Sequence, residues 1–258
     1  MNVLILGANG MLGPHVVPAL EARHRLRLSD INDLDTPHEY LKVDVADVDQ
    51  VIAAAEGMDA IINLSVLRTD RKLAFDVSAR GCYNMMTAAL QHGIRRIINT
   101  GPFYAITGPT YERFDHLIGP DVPPQPGTFL YAHTKSLGHE ITRVFAEHHD
   151  VYVMNLLFYM FLDAEEQPSE SGSPIANLGH DLVPFTVSWR DAATCFGNAL
   201  DIELERLPSR CEVFFVSADL PHQKFSNDKA RRLLGWEPQD KLDQFWKKTA
   251  SPGALGNG

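Results

Sequence analysis

Cysteine is scarce. The three present (Cys82, Cys195 and Cys211) are odd in number, far apart and without metal-ligand spacing, which fits a reduced, cytoplasmic compartment better than a disulfide framework. Long hydrophobic runs are also lacking: no apolar segment reaches the roughly 18 residues needed to cross a bilayer. No charged leader with an apolar core opens the chain, which enters a strand-like run, Val3-Leu4-Ile5-Leu6, almost at once. Basic charge is in deficit, with 23 Lys and Arg against 33 Asp and Glu and a net charge of -10. No Lys/Arg block offsets it, so neither a nucleic-acid surface nor attraction to an anionic membrane is expected. The 11 histidines are scattered, and the adjacent His148-His149 cannot both face one helical site, so no metal is expected.

What remains is the composition of an ordinary globular protein, 45% apolar and 22% charged, long enough at 258 residues to bury a core without staples. Short apolar runs at Val3–Leu6, Arg25–Ser29, Ala60–Leu64, Arg96–Thr100 and Val151–Leu157 predict strands. Amphipathic stretches at Met11–Ala22, Val48–Glu56, Gly81–His92 and Tyr131–His148 predict the helices between them. Such alternation implies an α/β fold, a Rossmann-like, doubly wound parallel sheet covered on both faces. Pro14 suits a first helical turn, whereas Pro18 is expected to kink or shorten that helix. Two irregular stretches interrupt the pattern, Thr107–Thr128 with five prolines and the acidic, Ser/Pro-rich Asp163–Pro174. The alternation weakens near residue 160. The expected division is therefore a dinucleotide-binding domain over 1–160, a small substrate-binding lobe over 161–250 and a disordered tail over 251–258.

The first strand runs into Gly7-Ala8-Asn9-Gly10-Met11-Leu12-Gly13 and then a helix. Glycines at that spacing, between a strand and a helix, give a tight turn, close approach to a pyrophosphate and helix–strand packing. The helix N-terminus offers unpaired amides to phosphate. Asp30, at the end of the second strand, is placed to accept the adenosine ribose hydroxyls and to repel a 2′-phosphate, which favours NAD over NADP. Arg25 and Arg27 precede it and are less well placed to reverse that choice. Asp44-Val45 is a candidate for the adenine edge. Farther on, Tyr131 and Lys135 stand four apart, on one face of a helix. An ammonium beside a phenol favours the phenolate and lowers its pKa from about 10, so the pair can transfer a proton.

These features together resemble the extended short-chain dehydrogenase/reductases, the NAD-dependent epimerase/dehydratase family. The marks are Gly7-x-x-Gly10-x-x-Gly13, Asp30, Asp44-Val45, Asn63-Leu64-Ser65, Tyr131-x-x-x-Lys135 and the closing Leu233-Leu234-Gly235-Trp236-Glu237-Pro238. Within the family the chain is most similar to uronate dehydrogenases, in its short length, in Gly119-Pro120-Asp121-Val122-Pro123 and in Leu28-Ser29-Asp30-Ile31. The resemblance implies NAD held by Gly7, Asn9, Gly10, Met11, Leu12, Gly13, Asp30, Ile31, Asp44, Val45, Leu64, Ser65, Val66 and Phe158, together with Tyr131 and Lys135. It implies a small sugar or sugar acid as substrate, with Tyr131 as general base, Lys135 on the nicotinamide ribose, and an aldarolactone as the product from a uronate. It further implies a homodimer built on the Gly81–His92 and Tyr131 helices. A nucleotide-sugar epimerase or dehydratase and a catalytically silent NAD-binding regulator are the alternatives.

The chain departs from the family in three places. The usual Ser after the fourth strand falls near Gly101 and Pro102, neither of which donates from a side chain; Thr100 is the best remaining catalytic hydroxyl and Tyr104 a further candidate. The usual Asn aligns with Ser78 or Asp76. The polar, Arg-bearing segment for a substrate carboxylate is replaced by Leu156-Leu157-Phe158-Tyr159-Met160-Phe161, which predicts a greasier, less anionic pocket. Candidate substrate contacts are then Arg68, Phe103, Tyr104 and Tyr159.

Overall fold

The computed structural model describes residues 1–67, 70–114, 117–164 and 182–246. Seven strands form one sheet, all pairings parallel: β1 (Asn2–Leu6), β2 (Arg25–Asp30), β3 (Glu39–Lys42), β4 (Ala60–Asn63), β5 (Arg96–Pro102), β6 (Tyr152–Phe158) and β9 (Cys211–Phe215). Their order is β3-β2-β1-β4-β5-β6-β9. Two short strands, β7 (Met160–Leu162) and β8 (Thr186–Ser188), pair separately.

Strand side chains alternate between faces, and here both faces are buried. Val3 and Ile5 pack on one side with α1 (Gly13–Leu20) and α6 (Trp189–Asp201). Leu4 and Leu6 pack on the other with α2 (Val48–Ala55) and α4 (Gly81–His92). That second layer is completed by α5 (Leu130–His148), while α3 (Arg71–Phe75) leads through a π-helical turn at Asp76–Arg80 into α4. No helix among the described residues is long and apolar enough to cross a membrane.

Three features bear on the sequence expectation. β3 pairs with β2 although Glu39-Tyr40-Leu41-Lys42 is mostly exposed, because an edge strand needs no apolar run. α1 starts and ends two residues inside the stretch Met11–Ala22, in line with the shortening expected of Pro18, which lies within it; the bond Pro18 cannot donate would have gone to Pro14 in the first turn, where little helix is lost. β9 and α6 lie beyond the expected boundary at 160, yet β9 pairs with β6 and α6 packs in the same core as α1. The core under the sheet is thus built from both sides of that boundary. α7 (Asp228–Leu234) ends at Gly235 in the left-handed conformation, and Trp236 behind it is buried, donating from Nε1 to the Asp191 carbonyl at 2.9 Å. The expected tail, 251–258, lies outside the described residues.

An asparagine ladder ties the middle of the sheet together. Asn63, Asn99 and Asn155 are register partners on β4, β5 and β6. Asn63 Nδ2 donates to Asn99 Oδ1 at 3.0 Å and Asn99 Nδ2 to Asn155 Oδ1 at 2.9 Å. All three are buried, where unpaired amides would be costly. The ladder ends at the site, because Asn63 Oδ1 accepts the backbone N–H of Ser65 at 3.1 Å.

Candidate active site

At the C-terminal ends of β1, β2 and β4 lies a groove of about 690 Å³, a ligand-sized space. Its floor is glycine. Gly7 has φ +77°, and a Cβ there would stand 2.7 Å from the Ser65 nitrogen. At Gly13 a Cβ would meet the Ala8 carbonyl oxygen at 1.7 Å, so Gly13 serves helix packing and does not line the groove. The N-terminus of α1 has no side-chain cap and no acid in its first turn, leaving its amides to an anion. Asp30 closes the far side: its carboxylate accepts the Asn9 and Asn32 amides, each at 3.0 Å. Arg25 and Arg27 turn to Glu39 instead. Asn9, Gly10, Ile31, Asp44, Val45, Leu64, Ser65 and Val66 also line this space. These residues suit a dinucleotide: a cradle that a Cβ would fill at one end and a carboxylate for ribose at the other. Sequence reasoning missed Asn32, Lys72 and Arg80 there; Lys72 and Arg80 pair with Asp76, and nothing local marks them. Of the two alternatives for the family asparagine, Asp76 lines the groove and Ser78 is buried.

Leu64 and Val66 also border a second, much smaller pocket of about 80 Å³, lined in addition by Met11, Leu12, Thr100, Gly101, Tyr104, Tyr131 and Phe158. Tyr131 comes from the first turn of α5 and is 8% exposed. Lys135 follows one turn later at 2%, and its Nζ donates to the carbonyls of Ser65 at 2.8 Å and Thr100 at 3.1 Å. The ammonium is thereby fixed between the ends of β4 and β5. Thr100 borders the pocket, but its hydroxyl donates to the Asn63 carbonyl at 2.8 Å.

Gly101 has a role that sequence reading did not see. A Cβ there would lie 2.7 Å from His139 Nε2. His139, one turn beyond Lys135 on α5, fills the space that a side chain at 101 would need. It is buried, neither ring nitrogen has a hydrogen-bond partner, and burial, reinforced by the Lys135 charge, pushes its pKa down to about 3. It is a neutral imidazole throughout the physiological range. Burial drives the thiols the other way, Cys82 up to about 11 and Cys211 up to about 12, so neither is poised as a nucleophile.

Phe103, Tyr104 and Tyr159 come together, with ring centroids 5.4–5.5 Å apart. Tyr104 also stands edge-on to Tyr131 at 6.0 Å. Arg68 lies outside the described residues. His133 is exposed, with Nδ1 3.2 Å from the Gly127 carbonyl. Met85 and Met86 are fully buried and Tyr83 is exposed. Among the described residues no group of three His, Cys, Asp or Glu is arranged to hold a metal.

Comparison with known proteins supplies the context. The model of the NAD dependent epimerase/dehydratase family matches residues 3–171. The NAD-dependent glucose-6-phosphate dehydrogenase of Haloferax volcanii is 25% identical over 274 residues, covering 94% of this chain and 95% of its own. Uronate dehydrogenase of Pseudomonas syringae pv. tomato is 27% identical over 162 residues, 60% of this chain and 58% of its own. A mutant of uronate dehydrogenase from Agrobacterium tumefaciens, solved in complex with NAD, shares the fold with a TM-score of 0.75 at 22% identity, over 95% of this chain and 86% of that one.

Proposed function

The chain belongs to the NAD dependent epimerase/dehydratase family, and from that premise we propose that it is a dehydrogenase in which Tyr131 removes the proton from a substrate hydroxyl. It is an enzyme of that family, and its cofactor is NAD. One observation carries the reading: the Tyr131 pocket shares Leu64 and Val66 with the dinucleotide groove, so a proton acceptor and a nicotinamide would meet across two side chains.

When bound, NAD supplies the hydride acceptor. Lys135, held by the Ser65 and Thr100 carbonyls, places positive charge one turn from Tyr131 and favours its phenolate. It is also the group for the nicotinamide ribose. Because the Thr100 hydroxyl is given to Asn63, Thr100 acts through its carbonyl on Lys135, and Tyr104, which borders the same pocket, is the residue assigned to the substrate oxygen in this reading. Asp30 takes the adenosine ribose and disfavours NADP. The names of the relatives put sugars and sugar acids first among the substrates to assay. Exposed Tyr83, Leu137 and Val144 on α4 and α5 support a homodimer through that layer.

The test is calorimetric titration with NAD and NADP, followed by a screen of uronates, aldoses, polyols and simple alcohols for reduced cofactor. NAD binding tighter than NADP and turnover of at least one alcohol are expected. Tight NAD binding with no turnover of any of them overturns the dehydrogenase reading and leaves a silent binding protein.

A further inference from the structure

The pocket at Tyr131, about 80 Å³, falls well short of the roughly 300–1,000 Å³ of small-molecule sites. It takes the reacting carbon and its oxygen, and the body of a substrate has to lie elsewhere. A chamber of about 520 Å³ adjoins it, with Tyr104 and Tyr159 bordering both. We propose that this chamber binds the body of the substrate, and that the body is an aromatic or alicyclic group and not a polyhydroxylated chain. The proposal rests on the dehydrogenase reading and narrows its substrate class.

The walls carry the argument. Phe103 stacks on Phe185 at 4.7 Å and meets Phe225 and Tyr159 edge-on at 4.9 and 5.4 Å. Phe185 is 1% exposed, so these rings are set by the core and are pre-organised for a ligand. Three lining residues are prolines, Pro109, Pro126 and Pro184, which bring no backbone donor. Among the described residues no carboxylate, amide or imidazole side chain lines the chamber. The Tyr111 hydroxyl is given to the Pro123 carbonyl at 3.0 Å, and Lys224, at the edge, lies against the Phe225 ring. A sugar placed here would exchange water for ring faces at most of its hydroxyls, and buried hydroxyls without partners are disfavoured. A flat or alicyclic apolar body meets ring faces and prolines over most of the lining, with Thr107 and the Tyr104 and Tyr159 hydroxyls as the remaining polar exceptions. Phe129, 63% exposed at the N-terminus of α5, supplies a ring at the rim that such a body would cover.

The loop under the chamber is tied down, which argues for a standing cavity. Gln125 N–H donates to the Ile106 carbonyl at 2.7 Å, and Ile118 bridges to Phe225. Gly108, at φ +46°, could not carry a Cβ, which would fall 1.9 Å from the Gln125 carbonyl oxygen.

The experiment has two readouts on the NAD-loaded protein. First, acetophenone and glucuronate are titrated by calorimetry; second, 1-phenylethanol, 1-indanol, glucose and glucuronate are compared as substrates. Binding of acetophenone and a kcat/KM for the aryl alcohols at least about tenfold above the sugars are expected. Phe129→Ser should raise KM for 1-phenylethanol about tenfold without changing the Kd for NAD, with the melting temperature checking that it folds. Preference for glucuronate with no acetophenone binding overturns this proposal and leaves the dehydrogenase reading intact. Acetophenone binding that Phe129→Ser abolishes, with no alcohol of either class turned over, supports the chamber and overturns the dehydrogenase reading.

Discussion

The two halves of this site are built by opposite means. The cofactor half is local: Gly7, Gly10, Gly13 and Asp30 lie within one βαβ unit, and their roles follow from backbone geometry that any reader of the chain can anticipate. The substrate half is assembled from Phe103, Phe129, Tyr159, Phe185 and Phe225, drawn from five separate segments. The lesson is that binding to a constant ligand is written in short motifs, whereas selectivity is written in tertiary packing. Among the described residues the halves meet at Leu64 and Val66, which border both the dinucleotide groove and the Tyr131 pocket.

That division can be broken or sharpened by substitution. The largest effect is expected from Tyr131→Phe, which removes the proton acceptor at the junction. Turnover should fall about 10²- to 10⁴-fold while calorimetry still finds NAD bound; unchanged turnover would remove Tyr131 from the mechanism. Next, Phe185→Ala opens a cavity in the substrate half. Denaturant unfolding should show a loss of about 3–5 kcal/mol, with NAD affinity retained at temperatures where the protein stays folded. A large loss of NAD affinity there would mean that the halves are coupled.

A third test concerns His139. Its folded-state pKa, about 3, lies below the ordinary 6.5, so the unfolded chain binds the proton more readily. Stability from this group is fully present above about pH 6.5 and is lost as pH falls toward about 3, at up to about 1.4 kcal/mol per pH unit. His139→Leu should flatten that part of the stability profile relative to the parent protein, and a slope that does not change would mean that the ring is protonated or hydrated. The smallest effect is expected for Asp30→Ala. The Kd for NAD should rise about tenfold, the scale of a hydrogen bond to a charged group, and the preference over NADP should shrink.

Legibility followed the same line. β1, β4, β5 and β6 could be read because central parallel strands are apolar on both faces, and β2 from the alternation of Leu26 and Leu28 with Arg25 and Arg27. β3 could not, since at an edge Glu39 and Lys42 are as acceptable as valine, and β9 was obscured by the weak pattern after residue 160. α4 begins and ends where its amphipathic pattern does, and α5 starts one residue earlier than its pattern. In the site, the Asp30 groove and the Tyr131–Lys135 face were legible from spacing. The direction of the Thr100 hydroxyl was not, because it depends on the facing carbonyl of Asn63 on the neighbouring strand. His139 carried no signal either: a histidine on an amphipathic helix looks the same in sequence whether it meets water or, as here, a strand glycine, Gly101.

The contact between Gly101 and His139 also constrains the routes by which this protein can change. A serine at 101 would place its Cβ within 2.7 Å of the imidazole, so that single substitution is penalised before any hydroxyl can be useful. Replacing His139 by a smaller residue alone leaves a void beside Gly101. Each single change is costly while the other position stays as it is, and only the pair gives a packed site with a serine hydroxyl. The two positions are epistatic through one van der Waals contact, and the chemistry of this pocket is held in place by a missing methylene as firmly as by any residue that is present.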